Sequence, residues 1–463
     1  MNAKYKGFIR AFFLMFLLLI FLCIITVLVV DPFFQYHKPI KNLYYVIDNQ
    51  INQNPGIARN YDYDSVILGS SMTVNFDTEL FAETMGLNTV KLSYNGAYPK
   101  DIDNIMNIVK DSNNRVSHVF LGIDIYTYKA APGICAYPVP AYLYDDSLIN
   151  DMPYLLNKDV LLEYIVMPQI RRESTSLNEI YWSWPYVNCG RNTVVASYER
   201  PREFAEMLPS DIYHNNISES MNTCILPYIE AMPDTQFVVF FPPYSILYWY
   251  TRYADGNLSA ELAGEKQMME MLFSYPNVRV YYFQNDYDFI TNLDNYSDYT
   301  HYSHEMNNQM TLWFAEEDCP YELTSDNYRA VLDEMESWLL QCDFESYCVF
   351  TGTETSYGHT LIQSAYQAYV SGEAGEWDER GGSIDDSLFG NGLGGGNGVF
   401  YEESNEHRLG KAAAGFCFRC NDCSICLVTA APFYRTDRRA RGQHMASRGS
   451  RFPAGYDVLI AAG

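Results

Sequence analysis

Short apolar runs recur along the middle of the chain, and each of them ends near turn-forming residues. The five runs are rich in β-branched or aromatic side chains and cover residues 66–68, 89–92, 116–123, 236–241 and 278–283. Continuous apolar runs are typical of strands in a parallel sheet whose two faces are both covered. The pattern therefore predicts five strands of a mainly parallel sheet.

Segments with helical periodicity lie between these runs. Residues 101–110 repeat apolar side chains at i, i+3, i+4 and i+7, which is one face of a helix. Residues 77–85, which begin with the capping residue Asp77, and residues 258–273 and 325–340 predict three more helices. Strands that alternate with helices predict an α/β domain of three αβα layers over residues 61–345. In such sheets, ligands bind at the carboxyl ends of the strands.

A long interval, residues 126–207, interrupts this alternation. It contains two aromatic clusters, and the second of them includes Trp182 and Trp184. Insertions of this length after a strand are often lids or substrate-binding subdomains. The two tryptophans have flat apolar faces that can stack on sugar rings or form the hydrophobic core of the insertion, and both interpretations stay open.

Residues 11–30 form a run of twenty residues without a charged side chain. As a helix the run is ~30 Å long, which matches the hydrocarbon core of a bilayer. Three basic residues precede it and Asp31 follows it, so the positive-inside rule places residues 1–10 in the cytoplasm and the rest of the chain outside. A cleaved signal peptide is the alternative, but no small-residue cleavage site follows the run. We expect an uncleaved transmembrane signal anchor at 11–30 and a juxtamembrane segment at 31–60.

The end of the chain differs in composition from the rest. Residues 351–463 hold 18 of the 28 glycines, and no helical or strand period persists there. We interpret residues 346–463 as a low-complexity tail that is disordered or artefactual. Four of its cysteines have C-x2-C-x2-C-x2-C spacing, which resembles iron–sulfur or zinc ligation but departs from the ferredoxin spacing, so we expect no metal. These residues are Cys417, Cys420, Cys423 and Cys426.

Composition limits the partners of the protein. The 463 residues include 57 acidic and 31 basic residues, which give a formal net charge of −26. Such a surface repels phosphate backbones and argues against a nucleic-acid partner. The apolar fraction of 48% is enough for a sizeable core and excludes disorder of the whole chain.

The first predicted strand runs directly into Gly69, Ser70 and Ser71. A glycine allows a tight turn after the strand, and a following helix N-terminus offers free N–H groups to an oxyanion. By itself, a Gly-Ser-Ser turn is most often only a turn or a helix cap. The sequence offers a second block at Asp298 and His301, where a carboxylate three residues before an imidazole can fix its tautomer. The free ring nitrogen can then take a proton from a serine, and together the two blocks predict a hydrolase site.

These two blocks resemble the SGNH/GDSL hydrolase superfamily, and most closely its membrane-anchored members from Gram-positive bacteria. Such members read Gly-Thr/Ser-Ser-Met-Thr at the first block and Asp-Tyr-x-His-Tyr at the last. This chain reads GSSMT at 69–73 and DYTHY at 298–302. The resemblance covers roughly residues 31–343 and implies a flavodoxin-like SGNH-hydrolase fold.

The resemblance also implies roles for individual residues. Ser71 is the nucleophile, His301 the general base and Asp298 the residue that orients the base. The backbone N–H groups of Gly96 and Ser71 form the oxyanion hole. Relatives have Asn in a third block, where this chain has Asp124. Asp124 is therefore protonated, has another role, or leaves a hole with two donors, and the loss of one donor typically costs about 10²–10³ in rate.

We expect an extracytoplasmic serine esterase or O-acyltransferase of SGNH type, most naturally an acetyltransferase, that needs no cofactor and no metal. Its expected partners are a cell-envelope glycan or an acyl ester, together with the membrane that the first helix spans. The alternative is a non-catalytic glycan-binding or envelope-assembly factor on the same fold. Asp124 favours the alternative, and the retained Ser71, Asp298 and His301 favour the enzyme.

Overall fold

The computed structural model describes residues 3–175 and 189–350, and the backbone of residues 417–420 and 423–426. The chain divides into two compact units, Met1–Glu376 and Trp377–Gly463. In the second unit the described strands are Cys417–Cys420 and Cys423–Cys426, which pair in antiparallel fashion. The rest of the predicted tail beyond residue 350 lies outside the described residues.

The first unit contains one mixed sheet. Its strands are β1 Ser65–Leu68, β2 Thr89–Lys91, β3 His118–Gly122, β4 Gln236–Phe241, β5 Val278–Tyr282 and β6 Glu322–Leu323. The strand order is β2-β1-β3-β4-β5-β6. Neighbours among β1 to β5 are parallel, and β6 runs antiparallel to β5. The prediction of an α/β fold with a mainly parallel sheet is confirmed.

The predicted number of five strands is wrong, because β6 adds a sixth at one edge. β6 has two residues, which pair with Val280 and Tyr281 of β5. So short a strand has no periodic pattern for sequence analysis to detect. Arg279 of β5 reinforces the pairing through a salt bridge to Glu322, with 2.5 Å between Nη2 and Oε2.

Helices connect the strands. The α-helices of the described residues are α1 Ala3–Val30, α2 Gln50–Asn60, α3 Thr78–Met85, α4 Pro99–Asp111, α5 Ile125–Tyr128, α6 Ala141–Tyr144, α7 Met152–Leu155, α8 Met167–Arg171, α9 Arg191–Ser197, α10 His214–Ser220, α11 Leu226–Ala231, α12 Ile246–Ala254, α13 Leu258–Leu272, α14 Tyr287–Thr291, α15 His304–Ala315 and α16 Tyr328–Leu339. Two π-helical segments, Val160–Val166 and Met221–Ile225, precede α8 and α11. Short 3₁₀ turns cover Ser71–Thr73, Phe283–Asn285, Leu293–Asn295 and Phe344–Tyr347.

Helices cover both faces of the sheet. The ring of Tyr281 in β5 contacts Phe314 of α15, with 5.1 Å between the ring centroids. The next residue, Tyr282, donates a hydrogen bond of 2.9 Å from its hydroxyl to Glu265 of α13. Because successive strand residues point to opposite faces, α15 and α13 lie on opposite sides of the sheet.

Local signals account for the helices that the sequence predicts. Asp77 caps α3, since its carboxylate accepts a 2.9 Å hydrogen bond from the N–H of Glu79. Gly86 ends α3 at φ +69°, the left-handed conformation that glycine adopts readily. At the start of α4, the side chain of Asp101 accepts a 2.9 Å bond from the N–H of Tyr98. The apolar face of α4 is buried, as its spacing predicts.

Helix α1 has the length and apolar character of a membrane span over Tyr5–Val30. Most of its side chains are exposed in the structure, for example Phe8 at 71% and Leu14 at 67%. A signal sequence near an N-terminus has the same length and composition. The structure therefore confirms a helix that can span a bilayer.

The last turns of α1 pack against the segment between β3 and β4. Val27 and Phe33 are buried there with apolar side chains from α6, α7 and the Val160–Val166 segment. The rings of Phe33 and Tyr154 stack with centroids 5.2 Å apart. The segment between β3 and β4, which includes the predicted insertion 126–207, is thus joined to α1 by its own small hydrophobic core.

Asp31 fixes the point where α1 ends. It is fully buried with φ +49°, and its carboxylate accepts hydrogen bonds from the N–H groups of Gln35, Tyr36 and His37 at 3.0, 2.7 and 3.0 Å. The hydroxyl of Tyr154 donates a fourth bond of 2.8 Å. These four donors satisfy the buried carboxylate directly after the last residue of α1.

We predict that Asp31→Ala lowers the free energy of unfolding by about 3–5 kcal/mol, because buried donors without acceptors each cost about 1–3 kcal/mol. The measurement is urea denaturation of the full-length protein in detergent micelles. The control is Asp62→Ala, since the Asp62 side chain is 81% exposed and pairs with Lys38 at the surface. Equal denaturation midpoints for the two variants would contradict the role of Asp31.

Candidate active site

The strand order creates a crevice at the carboxyl end of β1. From β1 the chain passes to β2 on one side, and it then returns to β3 on the other side of β1. Loops that leave a sheet in opposite directions separate there, and ligands of open α/β sheets bind in the gap. Ser71 follows β1 and Asp124 follows β3, so both predicted site residues lie at this point.

The backbone around Ser71 depends on Gly69. Gly69 has φ +143°, and a Cβ atom there would lie 2.6 Å from Cγ2 of Thr73. Ser70 then caps the short 3₁₀ turn, since its Oγ accepts a 3.1 Å hydrogen bond from the N–H of Met72. The turn presents the first residue of the helical segment, Ser71, at the edge of the sheet.

Ser71, His301 and Asp298 form a continuous hydrogen-bond chain. Oγ of Ser71 lies 2.9 Å from Nε2 of His301, across 230 residues of sequence. Nδ1 of His301 lies 2.6 Å from Oδ2 of Asp298. Both ring nitrogens thus have partners, which is the arrangement in which a histidine can accept a proton from a serine hydroxyl.

The carboxylate of Asp298 is held in place by its own loop. Its Oδ1 accepts hydrogen bonds from the N–H groups of Thr300 and His301 at 2.7 and 2.8 Å. Burial disfavours the charged form, but the neighbouring His301 and these hydrogen bonds outweigh it and hold the pKa of Asp298 well below its usual range. Asp298 is therefore a fixed negative charge at neutral pH.

The pKa of His301 is set by burial and by the neighbouring carboxylates. Burial lowers the pKa of the imidazole, whereas the charge of Asp298, its hydrogen bond and the charge of Asp124 raise it, and the net pKa lies above the ordinary value. A raised pKa makes the ring a stronger base towards Ser71. It also means that the ring becomes protonated, and unable to accept that proton, at a higher pH than an isolated histidine.

Two hydrogen bonds join the segment around His301 to the turn that carries Ser71, and a third joins it to the loop after β4. The Tyr302 hydroxyl and the Asn307 side-chain amide donate to the carbonyl of Met72 at 2.8 and 3.1 Å. Behind the loop, Oγ of Ser245 donates to the carbonyl of Tyr299 at 2.5 Å. Sequence reasoning did not assign roles to Asn307 and Ser245. The available signal was topological, because residues that follow β4 reach the same sheet edge as those after β1 and β5.

The backbone N–H groups of Ser71 and Gly96, which are predicted to form the oxyanion hole, lie on neighbouring loops. The loop after β2 is drawn next to Ser71 by a 3.0 Å hydrogen bond from the N–H of Tyr94 to the carbonyl of Gly69. Gly96, two residues further on, has φ +66° and open space beside it. Within the described residues, the N–H groups of Ser71 and Gly96 have no hydrogen-bond acceptor. Ser71 opens a helical turn, so its N–H has no acceptor inside that turn.

Asp124 has partners of its own. Its side chain is buried, and it accepts a hydrogen bond from the hydroxyl of Tyr244 in the loop after β4. Burial raises the pKa of Asp124, while hydrogen bonds to Ser70 and Tyr244 and the charge of nearby His301 act in the opposite direction. The net pKa of Asp124 lies above its ordinary value, and the contact with Tyr244 joins the loops that follow β3 and β4.

Two of the predicted site residues fall on a part of the chain that the structure does not describe. Trp182 and Trp184 lie outside the described residues. Among residues 3–175 and 189–350, no cluster of three or more His, Cys, Asp or Glu side chains could hold a metal ion. The described site is thus built from a serine, an imidazole, two carboxyl groups and backbone N–H groups.

The arrangement can perform acyl transfer through a covalent serine intermediate. No protein-family model matches the chain, and no curated protein matches it. The assignment of acyl transfer to this site therefore rests on the geometry of its residues.

We predict that a fluorophosphonate labels Ser71 at a rate that rises with pH through an apparent pKa above 6.5, because only neutral His301 accepts the serine proton. Asp298→Asn removes the charge that raises this pKa. The variant should move the inflection to lower pH and reduce the plateau rate by roughly 10²–10⁴-fold. The measurement is the labelling rate from pH 5 to pH 9.

The matched control is Asp286→Asn. Asp286 caps α14 through a 3.0 Å bond from the N–H of Phe289, and asparagine caps helices equally well. This variant should keep the rate and the inflection of the unmodified protein. An inflection that stays in place in Asp298→Asn would show that Asp298 does not control the His301 pKa.

Proposed function

We propose that the protein is a membrane-anchored serine esterase or O-acyltransferase of SGNH type that acts on an acyl ester, most naturally acetyl, of a cell-envelope glycan. The observation that carries the proposal is the chain of hydrogen bonds from Ser71 through His301 to Asp298, with distances of 2.9 and 2.6 Å. The sequence blocks GSSMT and DYTHY support the assignment to the SGNH type. The sheet order β2-β1-β3-β4-β5 and the helices on both faces are compatible with the three-layer flavodoxin-like arrangement of that fold.

The reaction begins with Ser71. Its Oγ attacks the ester carbonyl while its proton passes to Nε2 of His301, and Asp298 stabilises the imidazolium that forms. The N–H groups of Ser71 and Gly96 donate to the oxyanion of the tetrahedral intermediate. Collapse of this intermediate breaks the ester bond, and His301 returns the proton to the departing alkoxide.

The second half of the reaction decides whether the protein is an esterase or an acyltransferase. The product of the first half is an ester of Ser71, and His301 now deprotonates the incoming hydroxyl. If water attacks, a free acid is released and the protein is an esterase. If a sugar hydroxyl attacks, the acyl group moves to the glycan and the protein is a transferase. Both outcomes regenerate Ser71 with its proton.

The proposed location follows from α1 and its flanking charges. Basic residues precede the span and Asp31 follows it, which supports a cytoplasmic N-terminus and an extracytoplasmic domain. A domain tethered outside the membrane meets envelope polysaccharides as its nearest abundant substrate class. The tether also supports action on material close to the membrane surface.

The second candidate is a non-catalytic glycan-binding or envelope-assembly factor on the same fold. Asp124 favours it, because an ionised carboxylate beside the site would repel an oxyanion. The hydrogen-bond chain of Ser71, His301 and Asp298 weighs against it, since a protein that only binds has no need of these three residues together.

The test incubates the detergent-solubilised full-length protein with O-acetylated envelope polysaccharide and an unacetylated oligosaccharide acceptor. Free acetate and acetylated acceptor are measured by mass spectrometry. The wild type should produce one of them, and Ser71→Ala should reduce the rate by at least about 10³-fold. Ser303→Ala, in which a nearby serine outside the hydrogen-bond chain is changed, should remain active. Retained polysaccharide binding without turnover in wild type and Ser71→Ala alike would favour the second candidate.

A further inference from the structure

The segment between β3 and β4 carries an unusually exposed set of apolar side chains. We call this set the apolar rim; its members are Leu148, Ile149, Met152, Leu156, Leu162, Val166 and Ile170. The exposed fraction reaches 90% at Ile149 and 70% at Leu148. A soluble surface rarely collects so many large apolar side chains within one short stretch of chain.

Three members of the apolar rim recur at a regular helical spacing. Leu162, Val166 and Ile170 are four residues apart along the continuous helical segment formed by Val160–Val166 and α8. Side chains at this spacing share one side of a helix. Val160 and Ile165 of the same segment are buried in the core shared with α1. The segment is thus apolar on two sides, one packed on α1 and the other exposed.

The position of this segment along α1 gives the depth at which it would lie in a bilayer. The segment packs against the last turns of α1, where Ile24 and Val27 belong to the shared core. If α1 crosses the bilayer and ends at Val30, these two residues lie ~9 and ~4.5 Å inside that end. Amphipathic segments that lie in a membrane interface bury their apolar faces to about 5–10 Å, which is the same depth.

We infer that residues 148–170 form an interfacial platform that lies in the outer leaflet beside α1, with the apolar rim facing lipid acyl chains. This inference rests on the membrane-spanning placement of α1 under the proposed function. The partner is a phospholipid bilayer because the segment packs on α1, a helix whose apolar side chains, including Phe21 and Val29, are themselves exposed. Lys158 lies in the same stretch and Arg171 directly follows it; their side chains are 81% and 61% exposed, pair with Asp159 and Glu173, and can reach the headgroups.

The test places a photo-crosslinking amino acid, p-benzoylphenylalanine, at single positions of the full-length chain in proteoliposomes that contain a phospholipid with an alkyne-tagged acyl chain. The test position is Leu162, which is 49% exposed, and the matched control is Leu340, which is 48% exposed. Leu17 of α1 reports on the membrane span itself. Each site is irradiated, and the yield of lipid adduct is measured.

We expect adduct yields at Leu162 within about threefold of Leu17 and at least about tenfold above Leu340. Ile149 should behave like Leu162. If the yield at Leu162 equals that at Leu340 while Leu17 is labelled, residues 148–170 do not lie in the membrane interface. The membrane-spanning placement of α1 would still hold. Background yield at Leu17 would instead overturn the membrane span, and with it the depth on which the platform rests.

Discussion

The hydrogen bond between Ser71 and His301 is the contact on which the candidate site depends, because it joins two loops that are 230 residues apart. It can form only if the turn after β1 and the loop after β5 reach the same edge of the sheet. Parallel strands provide this, since all their carboxyl ends lie together. Tyr302 and Asn307 then tie the second loop to the carbonyl of Met72, so the spacing of the pair is fixed on both sides.

The same site is connected to α1 through closely packed backbone. Gly56 of α2 lies so close to the end of α1 that a Cβ atom there would be 2.0 Å from the carbonyl oxygen of Phe33. The Asn54 side chain of α2 donates a 3.0 Å hydrogen bond to the carbonyl of Ser93, and Oγ1 of Thr73 donates a 2.6 Å bond to Oγ of Ser93. The end of α1, the loop after β2 and the turn that carries Ser71 therefore form one packed unit, which under the proposed function would fix the orientation of the site relative to the membrane.

Sequence analysis predicted five of the six strands and named Ser71, Asp298 and His301, because apolar runs and short motifs are local signals. Apolar runs, a capping Asp77 and short motifs can be read without a structure. The two-residue strand β6, the Tyr244 contact of Asp124 and the packing of the insertion on α1 could not be predicted, since each depends on residues far apart in sequence. Trp182 and Trp184 remain predictions, because they lie outside the described residues.

The most direct test of the central claim is a rapid-mixing experiment with p-nitrophenyl acetate and the full-length protein. A covalent route through Ser71 predicts a burst of p-nitrophenol equal to the amount of protein, followed by slower turnover. The acetyl group should be found on the peptide that contains Ser71, and the burst should be absent in Ser71→Ala and His301→Ala. A burst of unchanged size in Ser71→Ala, or an acetyl group on another residue, would contradict the proposed role of the hydrogen-bonded triad.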